Sequence, residues 1–165
     1  MLGYKSMPSG ILCLDPSGSP PPSETGYIFY ENWQNYEIGA ITGKNAAEHG
    51  KNIDLLIKKL KPLYVVWETS FWLKVNKANK HFLQLIFLIG ILNYLININN
   101  ISPKYAHEIL NVRVVNALNK EIPGLELKKK KWYFRNQLIS VHQRDAIAVF
   151  FSFLTERMKK PWPWE

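Results

Sequence analysis

Short apolar runs separated by polar or proline-rich segments occupy the first half of the chain. The runs Ile11–Asp15, 26–30 and 36–42 are rich in β-branched and aromatic residues, which predicts three strands. A fourth run, 63–68, is apolar along its length, as expected for a strand in the middle of a sheet that is covered on both faces. Residues 104–107 are predicted to form a further short strand.

Helical periodicity predicts the layers that cover this sheet. A helix is predicted to begin at Asn45, which can cap it, with Glu48 three residues later. This helix carries its apolar residues at the spacing of one buried face and ends before Pro62. A second helix, over 80–97, is apolar nearly all round, so it must lie wholly inside the domain or bury its second face against another subunit. A helix near 110–119, a basic linker and a long helix over 141–158 follow. This order predicts an α/β domain with a mixed sheet flanked by helices.

The length of 165 residues fits a single domain, with residues 1–9 and 160–165 expected as flexible tails. The single cysteine, Cys13, excludes an intrachain disulfide and a multi-cysteine zinc site, and favours a reducing, cytoplasmic location. The N-terminal residues lack the apolar stretch of a secretory signal. Residues 82–98 are few for a membrane helix and include polar side chains, so we interpret them as a buried helix and expect no membrane partner.

Positive charge is concentrated towards the end of the chain. The net charge is +8, and residues 120–160 contribute +6 of it, from ten basic and four acidic side chains. A basic surface favours a polyanionic partner, because each Lys or Arg near a phosphate releases condensed counterions. The segment 128–135, KKKKWYFR, adds aromatic rings, which we expect to pack inward. The candidate DNA-binding basic residues are Lys74, Lys77, Lys80, Lys128, Lys129, Lys130, Lys131 and Arg135.

Four residues are candidates for one metal-binding active site. Asp15 and Glu68 each end an apolar strand, and the ends of such strands open onto the crevice where ligands bind. His142 and Asp145 are three residues apart on a predicted helix, so both project from one face. Carboxylates held close together raise one another's pKa, and a divalent cation removes that conflict. We therefore expect all four side chains to act as metal ligands and catalytic residues.

Each of these residues also has a structural interpretation. Asp15 could begin a turn at Pro16, Glu68 could be a solvated strand end, and Asp145 could interact with a helix dipole. The hypothesis of a shared metal site therefore depends on the combination of all four residues in this order along the chain. Oxygen ligands favour Mg²⁺ or Mn²⁺, and two ions about 4 Å apart would activate a water and stabilise the leaving 3′ oxygen. The reaction class indicated is phosphodiester hydrolysis without an organic cofactor.

Three segments resemble the active-site segments of a known nuclease family. ILCLDPS…TGYIFY, VVWETSF and HQRDAIAVFF are similar to those of RuvC-type Holliday junction resolvases, which have the RNase H-like fold with a five-stranded mixed sheet. By this resemblance Asp15 matches the first-strand Asp, Glu68 the fourth-strand Glu and Asp145 the last-helix acid. His142 stands where the family has Asp or His. The similarity spans about residues 10–155.

The resemblance implies a homodimer that uses Mg²⁺ or Mn²⁺ to place symmetric nicks across a four-way DNA junction. It also implies that Phe71 stacks on bases near the crossover, with Trp72 beside it, although either ring could instead pack in the core. Two features depart from the family pattern. The loop between Asp15 and Gly26 is longer and contains PPP, and the segment 128–135 replaces the family's lysine pattern after the fifth strand.

Two other functions compete with this one. The turn after Asp15 also resembles the phosphate loop of actin-like ATPases, but two such lobes need a far longer chain. A branched-DNA-binding protein that has lost catalysis is the second alternative, and the complete acidic set weighs against it. Metal-dependent cleavage separates the nuclease from the binding protein.

Overall fold

A five-stranded mixed sheet forms the centre of the protein in a computed structural model, which describes residues 7–16, 23–69, 80–110 and 122–164. The spatial order of the strands is β3-β2-β1-β4-β5. β1 is antiparallel to β2 and parallel to β4, so the predicted mixed α/β sheet is confirmed. The strands are β1 (Ile11–Asp15), β2 (Ser23–Tyr30), β3 (Tyr36–Gly43), β4 (Tyr64–Thr69) and β5 (Ala106–Leu110).

The fifth strand begins later than the predicted range of 104–107. Residues Pro103–Tyr105 form a 3₁₀ turn, which Ser102 caps by accepting a hydrogen bond from the Lys104 N–H. Lys104 and Tyr105 belong to this turn, so strand pairing begins only at Ala106.

Three α-helices lie within the described residues, and they are α1 (Ala46–Leu60), α2 (Lys80–Ile98) and α3 (Val141–Ser152). Asn45 caps α1 as predicted, because its side-chain oxygen accepts a hydrogen bond from the Glu48 N–H at 2.9 Å. A π-helical turn, Phe153–Arg157, continues α3 to the predicted end of the C-terminal helix. The helix expected near 110–119 falls almost entirely outside the described residues.

The core has two layers because side chains alternate along the strands. In β1, Ile11 and Cys13 pack in the cluster that includes α3, whereas Leu12 and Leu14 pack on the other face, which α1 and α2 cover. All four are fully buried, and burial raises the pKa of the Cys13 thiol.

A second sheet occupies the segment that was predicted to be a basic linker, so that prediction is wrong. It contains β6 (Leu125–Lys128), β7 (Lys131–Phe134) and β8 (Gln137–Ile139), all antiparallel. Both hairpin turns have two consecutive residues with left-handed φ, at Lys129 and Lys130 (49° and 65°) and at Arg135 and Asn136 (47° and 69°). Such turns usually carry Asn-Gly or Asp-Gly, so the lysine pair gives no turn signature.

The last residues pack against the core, although 160–165 was predicted to be a flexible tail. Trp162 is 4% exposed, and its indole N–H donates to the Pro123 carbonyl at 3.0 Å. Trp164 donates to the Trp33 carbonyl at 2.9 Å and contacts the rings of Tyr30 and Tyr36. The physical reason is that the two tryptophans supply the large apolar surface that a mobile tail would expose to water.

Helix α2 does not lie wholly inside the domain. Leu88 and Leu92 are buried against the sheet, whereas Phe87 and Tyr94 are 65% and 63% exposed. Among the helices in the described parts of the chain, none combines the length and hydrophobicity needed to span a membrane.

Candidate metal-binding active site

The alternation along β1 and β4 places two carboxylates on one face of the sheet. Cys13 belongs to the core cluster on the α3 side, so Asp15, two residues further, points to that side. Val66 belongs to the same cluster, so Glu68 points there too. Because β1 and β4 are parallel neighbours, both acids lie at the carboxyl edge of the sheet. A side-chain hydrogen bond joins them.

The N-terminus of α3 lies directly over this edge. Ser140 caps the helix in a capping box, in which its hydroxyl accepts from the Gln143 N–H while the Gln143 amide oxygen accepts from the Ser140 N–H. Gly26 of β2 makes the close approach possible, since a Cβ there would lie 2.1 Å from the His142 carbonyl oxygen. The first turn of α3 therefore brings its side chains to the two acids.

His142 contacts Asp15 directly, with 2.9 Å between its Nδ1 and the Asp15 Oδ2. This hydrogen bond is the main reason that the pKa of His142 is raised, and the charges of Asp15, Glu24 and Asp145 add to the effect against the opposing effect of burial. The imidazole side chain is 31% exposed, so it can be reached from solvent. A protonated His142 is therefore a counterion for the carboxylates around it.

Glu68 is 7% exposed and carries the largest pKa shift in the site. Burial is the first cause, and the neighbouring charges of Asp15 and Asp145 add to it, so the pKa of Glu68 rises from 4.5 to about 9. Glu68 is thus protonated at neutral pH and can donate a hydrogen bond to Asp15. The proton removes one of the negative charges that would otherwise repel each other.

Asp145 joins the same group from the first turn of α3, and Arg144 holds it. Arg144 Nε and Nη2 lie 2.7 Å and 2.6 Å from the same oxygen, Asp145 Oδ1. Burial and the charge of Asp15 raise the pKa of Asp145, although Arg144 and His142 partly oppose this. Arg144 was not among the predicted site residues, because its contacts and not its sequence spacing place it here.

Glu24 is a further acid at the site that the sequence analysis did not find. Its Oε1 accepts a hydrogen bond from the Ser140 hydroxyl at 2.6 Å, and its charge contributes to the raised pKa of His142. The alternation in β2 could have identified it, since Glu24, Gly26 and Ile28 share one face of the strand and Ile28 packs in the α3-side cluster. Glu24 thus holds the start of α3 against β2.

The donor set fits a hard divalent cation. Three carboxylates and one imidazole converge, and burial together with the neighbouring negative charges raises the pKa values of Glu68 and Asp145. A bound cation would offset both effects, since it favours the ionised carboxylates. As they stand, no three His, Cys, Asp or Glu side chains among the described residues surround one point closely enough to hold an ion. His142 and Arg144 each contact one oxygen, of Asp15 and Asp145 respectively, so an ion at these carboxylates would compete with both cationic side chains.

Apart from Arg135, the predicted DNA-binding residues divide into three groups. Phe71, Trp72, Lys74 and Lys77 lie outside the described residues. Lys80 begins α2, but its side chain is also outside the description. Lys128 and Lys131 face each other across the β6–β7 hairpin, Lys129 and Lys130 form its turn, and all four are exposed.

Arg135 has a structural role that the sequence analysis did not predict. Its guanidinium lies over the rings of Tyr36 and Trp164, at 5.4 Å and 5.5 Å from their centroids, and donates to the Trp33 carbonyl at 3.4 Å. Arg135 therefore joins the second sheet to the β2–β3 turn and the C-terminal segment, and since it is exposed its contact with DNA stays a prediction.

The sequence matches no protein-family profile and no curated protein. Two solved structures match 93% of this chain over 98% of their own length, each at 14% sequence identity. One is T. thermophilus RuvC in complex with a Holliday junction substrate, with a TM-score of 0.56, and the other is a structure of Thermus thermophilus RuvC, with a TM-score of 0.53. The protein has the RuvC fold.

The RuvC fold confirms the RNase H-like architecture that the three short motifs predicted. At 14% identity the match establishes the arrangement of the chain and leaves its chemistry to its own residues. Those residues place Asp15 and Glu68 at the ends of two central parallel strands, with His142 and Asp145 over them. The RuvC-like part of the chain thus carries an acidic cluster at the carboxyl edge of its sheet.

Proposed function

We propose that the protein is a divalent-metal-dependent endonuclease that resolves four-way DNA junctions by symmetric nicks, with Mg²⁺ or Mn²⁺ as its ion. The observation that carries this proposal is the convergence of Asp15, Glu68, His142 and Asp145 from β1, β4 and α3 in one group, in which burial and then the neighbouring negative charges raise the pKa of Glu68 to about 9. A buried group of this kind is costly to a fold and is typical of a site that binds a cation. The RuvC fold supports the reaction class.

Each of the four side chains has a distinct task in this proposal. Asp15 and Glu68, fixed by the backbone of neighbouring strands, would bind the ions from the sheet. Asp145 and His142 would supply the remaining protein ligands from α3. Two ions would polarise the phosphodiester and activate the attacking water. Glu68 must release its proton to become a ligand, and His142 must be neutral, so metal affinity should rise with pH. The buried apolar residues behind the site keep the carboxylates in fixed orientations.

The β6–β7 hairpin offers the surface along which DNA would reach this site. A groove of about 470 Å³ beside it is lined by Lys130, Lys131, Trp132 and Leu138, and it extends to Val141 at the start of α3. Lysines beside an aromatic ring suit a backbone that passes with its bases stacked on the ring. We propose that the substrate strand crosses this groove, with Lys128–Lys131 as phosphate contacts.

We also propose that the protein acts as a homodimer, since symmetric nicks need two active sites. The exposed apolar residues of α2 form one stripe along the helix, opposite the residues that pack on the sheet. A second copy of α2 is the surface that would cover this stripe, because it presents the same residues. The stripe consists of Leu83, Ile86, Phe87, Tyr94 and Ile98.

One observation favours a second function, that of a junction-binding protein without catalysis. The hydrogen bonds to Asp15 and Asp145 each occupy one of the carboxylate oxygens that an ion could use. Binding to a four-way junction without metal fits both functions, so cleavage must decide between them.

The deciding experiment is a nicking assay on a synthetic four-way junction and on linear duplex, with Mg²⁺ and with EDTA. The parent should nick only the junction and only with Mg²⁺. Asp145→Asn should keep junction affinity and lose about a thousandfold in rate, because one ligand supplies several kcal/mol of transition-state stabilisation. Asp54→Asn is the matched control, since Asp54 lies on α1 on the other side of the sheet. Equal cleavage by Asp145→Asn and the parent would show that the site is assigned wrongly.

A further inference from the structure

Arg144 is a cation inside the acidic cluster that the metal-site assignment does not use. Adjacent residues on a helix point in directions about 100° apart, so a side chain must bend back to contact its neighbour. Arg144 does so with two donors, Nε and Nη2, which both meet Asp145 Oδ1. Its side chain is 16% exposed, so it is held within the site and not spread into solvent.

The far side of the guanidinium lies against the second sheet. Its central carbon is 5.0 Å from the centroid of the Trp132 ring in β7. Trp132 also lines the groove beside the β6–β7 hairpin, through which we propose that DNA passes. The positive charge of Arg144 additionally lowers the pKa of Glu68 against the larger effects that raise it. Arg144 therefore contacts both a carboxylate of the cluster and a ring that lines the groove.

Asp145 cannot serve Arg144 and a divalent ion equally well. Both arginine donors converge on one carboxylate oxygen, and an ion that binds Asp145 would compete for that carboxylate and repel the guanidinium. Arg144 would then be a half-buried cation that has lost its anion. A guanidinium in that position needs a new planar or tetrahedral oxyanion, because an unpaired charge away from water is unfavourable.

We propose that Arg144 binds a DNA phosphate at the cleavage site, and that it stays paired with Asp145 until a metal ion binds that carboxylate. This inference rests on the proposed nuclease function. The ring of Trp132 would keep the guanidinium next to the groove after release, and the two donors that now meet one carboxylate oxygen match two oxygens of a phosphodiester. No covalent change occurs in Arg144. The exchange moves one cation from a protein carboxylate to the substrate.

The exchange predicts opposite effects on ion binding and on cleavage when Arg144 is removed. In Arg144→Gln, the Mg²⁺ concentration that gives half of the thermal stabilisation should fall by about tenfold, because a charged hydrogen bond no longer competes for Asp145. Junction cleavage at saturating Mg²⁺ should nevertheless fall by about tenfold or more, because the phosphate loses a bidentate contact. Arg157→Gln is the matched control, since Arg157 is exposed and contacts only the Glu108 carbonyl among the described contacts of its side chain. It should change neither quantity by more than about twofold.

Arg144→Lys keeps the test decisive if the glutamine variant fails to fold. Lysine retains the charge that competes for Asp145 but lacks the fork, so the Mg²⁺ midpoint should stay within about twofold of the parent while cleavage falls. If Arg144→Gln binds Mg²⁺ more tightly but cleaves as fast as the parent, Arg144 is only a counterion of Asp145 and does not bind the phosphate. If its Mg²⁺ midpoint is unchanged or higher, Arg144 does not compete with Mg²⁺ for Asp145. Both results overturn the inference alone. A parent protein that neither responds to Mg²⁺ nor cuts the junction overturns the proposed function itself.

Discussion

At the scale of single residues, the acidic cluster is stable without metal because positive charge and a proton are shared among its members. Asp15 interacts with His142, Asp145 interacts with Arg144, and Glu68 keeps its proton. Three ionised carboxylates in one buried group would repel one another strongly. The same arrangement explains why the cluster has ligands for an ion and yet no ready-made ion site among the described residues.

The proton on Glu68 makes stability depend on pH. The pKa of Glu68 is about 9 in the folded protein and near its ordinary value of 4.5 when unfolded, so the unfolded state releases a proton that the folded state keeps. The stabilising contribution is complete below pH 4.5 and is lost progressively as the pH rises through about 9. In EDTA, the melting temperature of the parent should decrease as the pH rises from 4.5 to about 9. The melting temperature of Glu68→Gln should decrease less steeply, and at about pH 8.5 it should be several degrees higher than that of the parent.

The control for this experiment is Glu31→Gln, which removes a negative charge at an exposed position of the β2–β3 turn. It should leave the pH dependence of melting as it is in the parent. If Glu68→Gln and the parent show the same pH dependence in EDTA, Glu68 is ionised in the folded protein and the electrostatic account of the site fails. The nicking activity of Glu68→Gln should be lost at every pH, since the amide cannot replace a carboxylate ligand.

Four of the six site residues could be predicted from the sequence and two could not, for physical reasons. Asp15 and Glu68 follow apolar runs, and His142 and Asp145 have helical spacing, so local patterns point to them. Arg144 has no such pattern, because its role depends on bending back to its neighbour and on a ring from another sheet. Glu24 lies before the run 26–30 from which the strand was predicted, so its place in the alternation of β2 became apparent only when the strand was seen to begin at Ser23.

At the scale of elements, strands and helices with strong periodicity were predictable, and the second sheet was not. Its strands have three or four residues, and the first turn carries Lys129 and Lys130 in left-handed conformations that these residues rarely adopt. A local pattern of this kind is typical of a basic linker. The hairpin forms because Phe134 and Ile139 are buried in the main core, a tertiary effect that outweighs turn propensity.

The C-terminal segment holds this second sheet to the main one, which predicts a large loss of stability when Trp162 is removed. Trp162 contacts the rings of Phe134 and Phe150 and donates to the Pro123 carbonyl. Trp162→Ala should lower the free energy of unfolding by about 3–5 kcal/mol, the usual cost of deleting a buried aromatic ring. Trp162→Phe should cost less, since it keeps most of the packing and loses the hydrogen bond. Equilibrium unfolding in urea measures both values.

Trp33→Ala is the control for this prediction, because the Trp33 side chain is 56% exposed and only its carbonyl accepts the bonds from Arg135 and Trp164. It should change the free energy of unfolding by less than about 1 kcal/mol. A loss in Trp162→Ala no greater than that in Trp33→Ala would mean that the last residues do not belong to the core.

At the scale of the whole molecule, two faces of the sheet serve different purposes. The α3 side carries the acidic cluster and, through β6–β8, the exposed lysines Lys128–Lys131. The α1 and α2 side carries an apolar stripe that the rest of the described chain leaves uncovered. A dimer through α2 would leave the catalytic face of each copy open to DNA, so the two surfaces are compatible with one substrate bound by two subunits.

This arrangement predicts that a charge in the middle of the α2 stripe separates the subunits without damaging the active site. Phe87 is 65% exposed, so Phe87→Glu should fold normally, yet a buried, unpaired carboxylate at a two-fold interface would be strongly unfavourable. Light scattering should give twice the chain mass of 19.2 kDa for the parent and 19.2 kDa for the variant at the same concentration. Leu127→Glu, which alters a 59% exposed leucine on the opposite side of the sheet, should remain dimeric.

Phe87→Glu also tests whether paired nicks require two subunits. A monomer has one active site, so Phe87→Glu with Mg²⁺ should release singly nicked junctions where the parent releases two resolved duplexes. Because every residue of the acidic cluster remains, the variant should still nick, whereas loss of the Asp145 carboxylate should lower the nicking rate about a thousandfold. Paired nicks from a protein that stays monomeric during the reaction would show that symmetric resolution does not depend on contact between two α2 helices.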